Sequence, residues 1–308
     1  METTTNEAKP VERWADRIRL LDANAACQAD VSGERIGPLP EQFRVKDLLK
    51  TAEEIAVIGE VTAALNDFRR IVCGLPALTF APERVHLLAA DAFDVNGAPG
   101  RFQGKAWLGH VYLGRGWPLW LFQALLAHEM FHAMSYLWVD FCPQGATTDL
   151  GLKLPYAVLR RGGMLLIDPS YGTMLPHFHG LNEGVTETAV TVICRMMAAK
   201  TKLHSEEDKR KLAGFVNSLP LVSFVDKLVE IVSSPAPDTM DAFRTLLLDN
   251  FNGTDEFLKR LEPRLPGATE RLRRTGARPE DELIPAAEDL GLADLADDIR
   301  RQMALDGA

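Results

Sequence analysis

Two histidines four residues apart flank a glutamate in the run His128-Glu129-Met130-Phe131-His132. On a helix, residues at that spacing share a face one turn apart, so both imidazoles would point the same way. Such a pair can grip one Zn²⁺, each nitrogen at about 2 Å. Glu129 lies beside them and is placed to take a proton from a water activated by the metal. Five residues therefore propose a metal site, a nucleophile and a base.

The setting of the run strengthens that reading. It sits in an apolar segment that opens Gly116-Trp117-Pro118, and from Leu119 to Val139 Glu129 is the only formally charged residue. A carboxylate and two imidazoles are costly to bury without a partner, and a metal would offset that cost. Pro118 suits the first turn of a helix, where its missing amide has no intrahelical use. About 20 apolar residues can also cross a bilayer. However, the chain has no second long apolar segment, and its mean hydropathy is slightly negative. A buried helix in a soluble protein is expected, not a membrane span.

A catalytic zinc usually has three protein ligands and one open position. The best source of the third is Gly180-Leu181-Asn182-Glu183-Gly184-Val185-Thr186-Glu187. H-E-x-x-H followed by N-E-G-x-x-E resembles the gluzincin group of zinc metallopeptidases, which includes the thermolysin-like enzymes. The resemblance implies that Glu183 is the third ligand, on a second helix that faces the first. It also implies that Glu187 holds His128 by its other ring nitrogen, which fixes the tautomer and orientation of the ligand. The two glutamates with their roles exchanged are the main alternative. The resemblance runs from the strand before the first helix to the end of the second. The gap from His132 to Glu183 is longer than in the related aminopeptidases. Asp140 and Asp149 are further acidic candidates without motif support.

Several elements must position these residues. Lys46 to Val72 reads as a long helix, with apolar residues recurring at three and four. Arg84 to Ala89 and Lys105 to Leu113 read as β-type runs around turn signals at Asn96-Gly97 and Pro99-Gly100. In zincins the strand just before the active helix is often the sheet edge that borders the cleft. Lys105 to Leu113 takes that place, and a peptide could pair with such an edge by β-augmentation. Gly109 would permit close backbone approach, and His110 is read as a strand residue, not a ligand. Val158 to Ile167 reads as a hairpin turning at Arg161-Gly162-Gly163. The loop Asp168 to Gly172 then leads to His177 and His179. Amide hydrolysis builds negative charge on the carbonyl oxygen, and Tyr171 and His179 are the local candidates for a donor that stabilises it.

Outside this window, Val11 to Ala25 can form an amphipathic helix. The chain from Ser205 reads as helical, beginning with a cap at Ser205-Glu206-Glu207-Asp208. Helices are expected at Leu219 to Val232 and Asp238 to Asn250, followed by four shorter ones ending near Leu305. They would form the second wall of the cleft.

The expected fold class is α+β: a zincin-like core of a small mixed sheet and an active-site helix, with a helical C-terminal subdomain. The chain of 308 residues allows one or two domains. The expected divisions are a mostly helical region at 1–80, a catalytic core at 81–200 and a helical subdomain at 201–308. Net charge is −9 with both signs interleaved, which argues against nucleic acid or an anionic membrane as partner. Met1 to Pro10 is polar and carries no apolar signal region. Cys27, Cys73, Cys142 and Cys194 form no C-x-x-C pair, so reduced thiols and a cytoplasmic protein are expected. Signal-independent export stays open. The expected activity is zinc-dependent hydrolysis of peptide bonds in a peptide or protein substrate. The competing readings are an exported toxin or effector protease, a hydrolase of cell-wall peptides, and a zincin-like binding module without turnover. The intact Glu129 argues against the last.

Overall fold

The computed structural model of the chain describes residues 12–13, 18–21, 48–89, 104–107, 110–147, 153–161, 165–168, 175–234, 238–276 and 282–306. In chain order the first elements are β1 (Glu12–Arg13), β2 (Ile18–Leu21), α1 (Ala52–Phe68), β3 (Leu78–Thr79), β4 (Val85–Leu88), β5 (Gly104–Trp107) and β6 (His110–Gly114). Then follow α2 (Leu119–Met134), β7 (Leu137–Thr147), β8 (Lys153–Arg161), β9 (Leu165–Asp168), β10 (Leu175–His177) and α3 (His179–Lys200). Seven helices complete the chain: α4 (Glu206–Ala213), α5 (Leu219–Ser233), α6 (Thr239–Asn252), α7 (Glu256–Leu261), α8 (Ala268–Arg274), α9 (Ile284–Asp289) and α10 (Ala293–Asp306). The fold is α+β, with helices predominating.

The helix expected over Lys46 to Val72 starts later, because Thr51 stops it. The Thr51 hydroxyl accepts from the Glu54 amide, and the Glu54 carboxylate accepts from the Thr51 amide, so two orphan donors are satisfied at once. Glu54 also takes both arms of Arg115, at 2.8 and 2.6 Å. That bidentate pair ties the start of α1 to the junction from which α2 springs. Beyond Phe68 the helix widens into a π turn over Arg69–Cys73 and ends at Gly74 in the left-handed region. Val57, Ile58, Val61, Leu65 and Phe68 form its buried stripe.

The three strands before α2 form a sheet in the order β4-β6-β5. Here the structure corrects the sequence reading twice. The run Lys105 to Leu113 is two antiparallel strands, with Trp107 paired to His110. The strand that leads into α2 is the central one, bonded to β4 in parallel and to β5 in antiparallel fashion. Among the described strands, β4 and β5 are therefore the edges, with β4 bridged once by Leu48 opposite Leu87. The reason is local: a strand whose residues Val111 to Leu113 are all buried cannot lie at a wet edge. Val85, Leu87, Val111 and Leu113 face the core. His86, His110 and Tyr112 stack against one another on the other side of the pleat.

Helix α2 is apolar nearly all round, and it is buried accordingly. It packs on α1, on β5 and β6, and on α3. Phe131 anchors it, edge-on to Phe68 of α1 and tilted against Phe251 of α6. The fully buried Gln123 donates to Glu60 of α1 and pairs with His204 beyond α3. These contacts set the rotation of α2 and hence where His128 and His132 point.

Strands β7 to β10, which lie between the two motif helices in the chain, form a second sheet with β2 in the order β10-β9-β8-β7-β2. The β8–β9 hairpin falls where the sequence reads one, Arg161 pairing with Leu165. Strands β1 and β2 replace the helix expected from Val11 to Ala25. Pairing decides that outcome: β2 lies parallel to β7, Ile18 opposite Leu137, and satisfies the amides of that edge. The C-terminal helices form as expected. Ser205 and Asp238 cap α4 and α6 by accepting from Asp208 and Asp241 amides. No helix among the described residues is long and apolar enough to cross a membrane.

Two glycines seat α3. A Cβ on Gly180 would meet the Gly276 carbonyl oxygen at 2.2 Å, and one on Gly184 would meet Val225 Cγ2 at 2.6 Å. These four-residue-spaced positions let α3 sit hard against residues 275–276 and against α5. Gly180→Ala should therefore destabilise the fold by about 2 kcal/mol. The clash is with backbone, so it outweighs the roughly 1 kcal/mol that alanine gains in helix propensity. A denaturant midpoint equal to or above that of the wild type would show that the contact relaxes freely.

Candidate metal centre

His128 and His132 leave α2 on one face, as the four-residue spacing requires. Their Nε2 atoms stand 3.2 Å apart. Glu183 reaches across from the first turns of α3. Its Oε2 lies 3.1 Å from His132 Nε2 and 3.4 Å from His128 Nε2. These three residues form a group that could hold a metal ion. Phe178 makes that reach possible by capping α3 in the left-handed region, at φ 58°. Its amide donates to the Arg273 carbonyl, and the Gly180 amide donates to the Thr275 carbonyl. The first turn of α3 is thereby fixed against the end of α8, which supports a backbone conformation that side chains rarely adopt.

The remaining ring nitrogens show which atoms face inward. Thr186 Oγ1 donates to the Asn182 carbonyl at 2.9 Å, so its oxygen is left to accept from His132 Nδ1 at 3.3 Å. Glu187 Oε1 lies 3.1 Å from His128 Nδ1, off the ideal hydrogen-bond line. With a metal bound, both rings would be Nδ1–H tautomers, their Nε2 lone pairs turned to the ion. Three lone-pair atoms then converge on one point. A tetrahedral zinc with bonds near 2.0 Å separates its ligands by about 3.3 Å, and the three spacings observed bracket that figure. The donor set and its spacing fit the ion.

Charge follows the same logic. Burial disfavours the His128 cation, but hydrogen bonds to Glu183 and Glu187 and the charges of Glu187 and Glu129 prevail and raise its pKa well above 6.5. Burial likewise disfavours ionised Glu183, yet the charge of His132 and hydrogen bonds from His128, His132 and His179 hold its pKa well below 4.5. A raised histidine stabilises the fold below its unfolded pKa of 6.5 and loses that effect as pH rises through the folded value. A lowered carboxylate stabilises above 4.5 and loses it as pH falls through the folded value. The metal-free protein should draw most from this cluster between pH 4.5 and 6.5. Metal needs neutral imidazoles, so its effect runs the other way. Added zinc should raise the melting temperature by several degrees at about pH 7.5 and by much less at about pH 5.5. A zinc shift that shrinks with rising pH would show that the histidines are not the ligands.

The other sequence candidates fall as follows. Glu129 is half-buried on α2 directly after His128. His179 opens α3, partly exposed at 39 %, with its Nε2 3.5 Å from Glu183 Oε1. The structure therefore brings His179 to the group, whereas Tyr171 lies outside the described residues. Asp149 lies outside them as well, and so does Gly109. His110 is a strand residue whose Nδ1 lies 2.9 Å from His86 Nε2. Burial, with Arg84 and His86 nearby, pushes its pKa down to about 4. Two residues of the site were not singled out from the sequence. Thr186 holds His132, and the Asn217 amide donates to Glu187 Oε1 at 2.9 Å. Thr186 was within reach of pattern reasoning, since it lies one turn after Glu183 on the same face. Nothing in the sequence points to Asn217. Comparison of the chain with protein-family models, curated proteins and solved structures returned no match.

Proposed function

We propose that the chain is a zinc-dependent hydrolase of peptide bonds built on a zincin-like core. The observation that carries this reading is the convergence of His128 Nε2, His132 Nε2 and Glu183 Oε2, with Glu129 next to His128 on α2 and close enough for its charge to act on that ring. Three protein ligands leave room for a fourth, the pattern of catalytic and not structural zinc. A bound Zn²⁺ lowers the pKa of water towards neutrality and polarises a carbonyl group. Glu129 would accept the proton of the attacking water and deliver it to the leaving amine. His179, exposed at the rim, is suited to donate to the carbonyl oxygen as its negative charge develops. Strand β5 packs on α2 and is one of the two sheet edges among the described strands, so an extended peptide would have a place to pair. Cys73 and Cys194 are free and buried. Burial pushes their thiols up to about 11 and about 12, as suits inert cysteines of a reducing, cytoplasmic compartment.

Incubation of the purified chain with a mixed peptide library, followed by mass spectrometry, tests the reading. Cleavage should stop with a zinc chelator and return with added zinc. Cleavage that survives complete removal of metal would overturn it.

A further inference from the structure

Asn217 lies in the link between α4 and α5, outside both motif helices. It is exposed, yet its amide reaches a carboxylate that is only 2 % exposed. Glu187 Oε1 accepts from Asn217 Nδ2 at 2.9 Å and lies 3.1 Å from His128 Nδ1. Its Oε2 accepts nothing among the described residues. Apart from His128 itself, the Asn217 amide is the partner that orients this buried carboxylate among the described residues. The link that carries Asn217 is itself held by the packing of α4 and α5 against α3.

The choice of residue matters. A lysine or arginine in this place would neutralise Glu187 and compete with His128 for it. A neutral amide holds the carboxylate without drawing off its charge, so that charge stays directed at the His128 ring. We propose that Asn217 is a positioning residue for the metal centre. It aligns Glu187 so that Glu187 holds His128 with Nε2 bare and turned towards His132 and Glu183. The C-terminal helical region thereby sets how tightly the metal is held. This inference rests on reading the group as a metal site.

Zinc affinity, measured by competition with a chromophoric chelator, tests it in four proteins: wild type, Asn217→Ala, Glu187→Ala and the double variant. Asn217→Ala should weaken zinc about tenfold, at the low end for loss of a group that orients a metal ligand. Asn217→Ala also takes a hydrogen bond from a buried carboxylate, so the metal-free variant should melt somewhat below the wild type, and affinities are compared at a temperature where both are folded. In the Glu187→Ala background the same substitution should change affinity by less than about twofold, because the group it acts through is gone. Asn217→Asp, which cannot donate, should lose at least as much as Asn217→Ala. Zinc affinity unaltered by Asn217→Ala overturns the proposal, and so does an equal loss in both backgrounds. A wild-type chain that binds no zinc overturns the metal-centre reading itself, and this proposal with it.

Discussion

Glu129→Gln should leave zinc bound at about one ion per chain and lower peptide turnover by roughly 10²- to 10⁴-fold, the range for loss of a general base. The substitution keeps the shape of the side chain and its place on α2. It removes the ability to take up a proton and one negative charge. Helix α2 is anchored by Phe131 and Gln123, so the fold should tolerate the change. The removal of one negative charge near His128 should slightly favour the neutral imidazole, since Glu129 is among the charges that raise its pKa. Metal content by elemental analysis and turnover on any peptide cleaved by the wild type provide the two readouts. Turnover at the wild-type rate would mean that the base is another group.

Glu183→Ala should cost far more metal than Glu187→Ala. Structural zinc is held by about 10–16 kcal/mol over four ligands, so deletion of one ligand should weaken binding by about 10²- to 10³-fold. Loss of a group that only orients a ligand costs about 10- to 100-fold. The geometry sets this order. Glu183 Oε2 lies among the inward-facing Nε2 atoms, whereas Glu187 Oε1 lies at His128 Nδ1, on the far side of the ring. The reverse order of affinities would exchange the two roles. Equal and small losses would mean that neither carboxylate holds the ion. In the metal-free state His128 and Glu183 are partners in a buried cluster, so the melting curve of apo Glu183→Ala should also shift. Affinities must therefore be compared at a temperature where every variant is folded.

Much of this arrangement is legible in the residues alone. H-E-x-x-H places two imidazoles on one helical face whatever the rest of the fold does, because the 3.6-residue period is local. The apolar run around it requires burial. Helix α4 could be placed from its cap, since Ser205 acts within one turn of itself, whereas the cap at Asp238 came from the structure. The β8–β9 hairpin was legible from a local signal too, the turn sequence Arg161-Gly162-Gly163.

Other features depend on partners distant in the chain. Residues 18–21 carry a pattern that suits a helix, and the open edge of β7 drew them into a strand instead. The run from Lys105 to Leu113 has one β-type composition, and only its pairing with β4 made β6 central and left β5 at an edge. Gly180 and Gly184 look like weak points in a helix until residue 276 and Val225 are seen against them.

The sequence by itself determined the chemistry available: two imidazoles and a base on one helix, and two carboxylates one turn apart on another. Residues four apart on a helix face the same way, so sequence spacing cannot decide which carboxylate meets which ring nitrogen. The tertiary structure decided that, because the approach of α3 to α2 is set by contacts remote in sequence. Close glycine packing against α5 and residue 276, the left-handed cap at Phe178, and the aromatic anchor between Phe131 and Phe251 together fix it. From that approach Glu183 comes to face the Nε2 atoms, Thr186 and Glu187 come to hold the Nδ1 atoms, and Asn217 reaches Glu187.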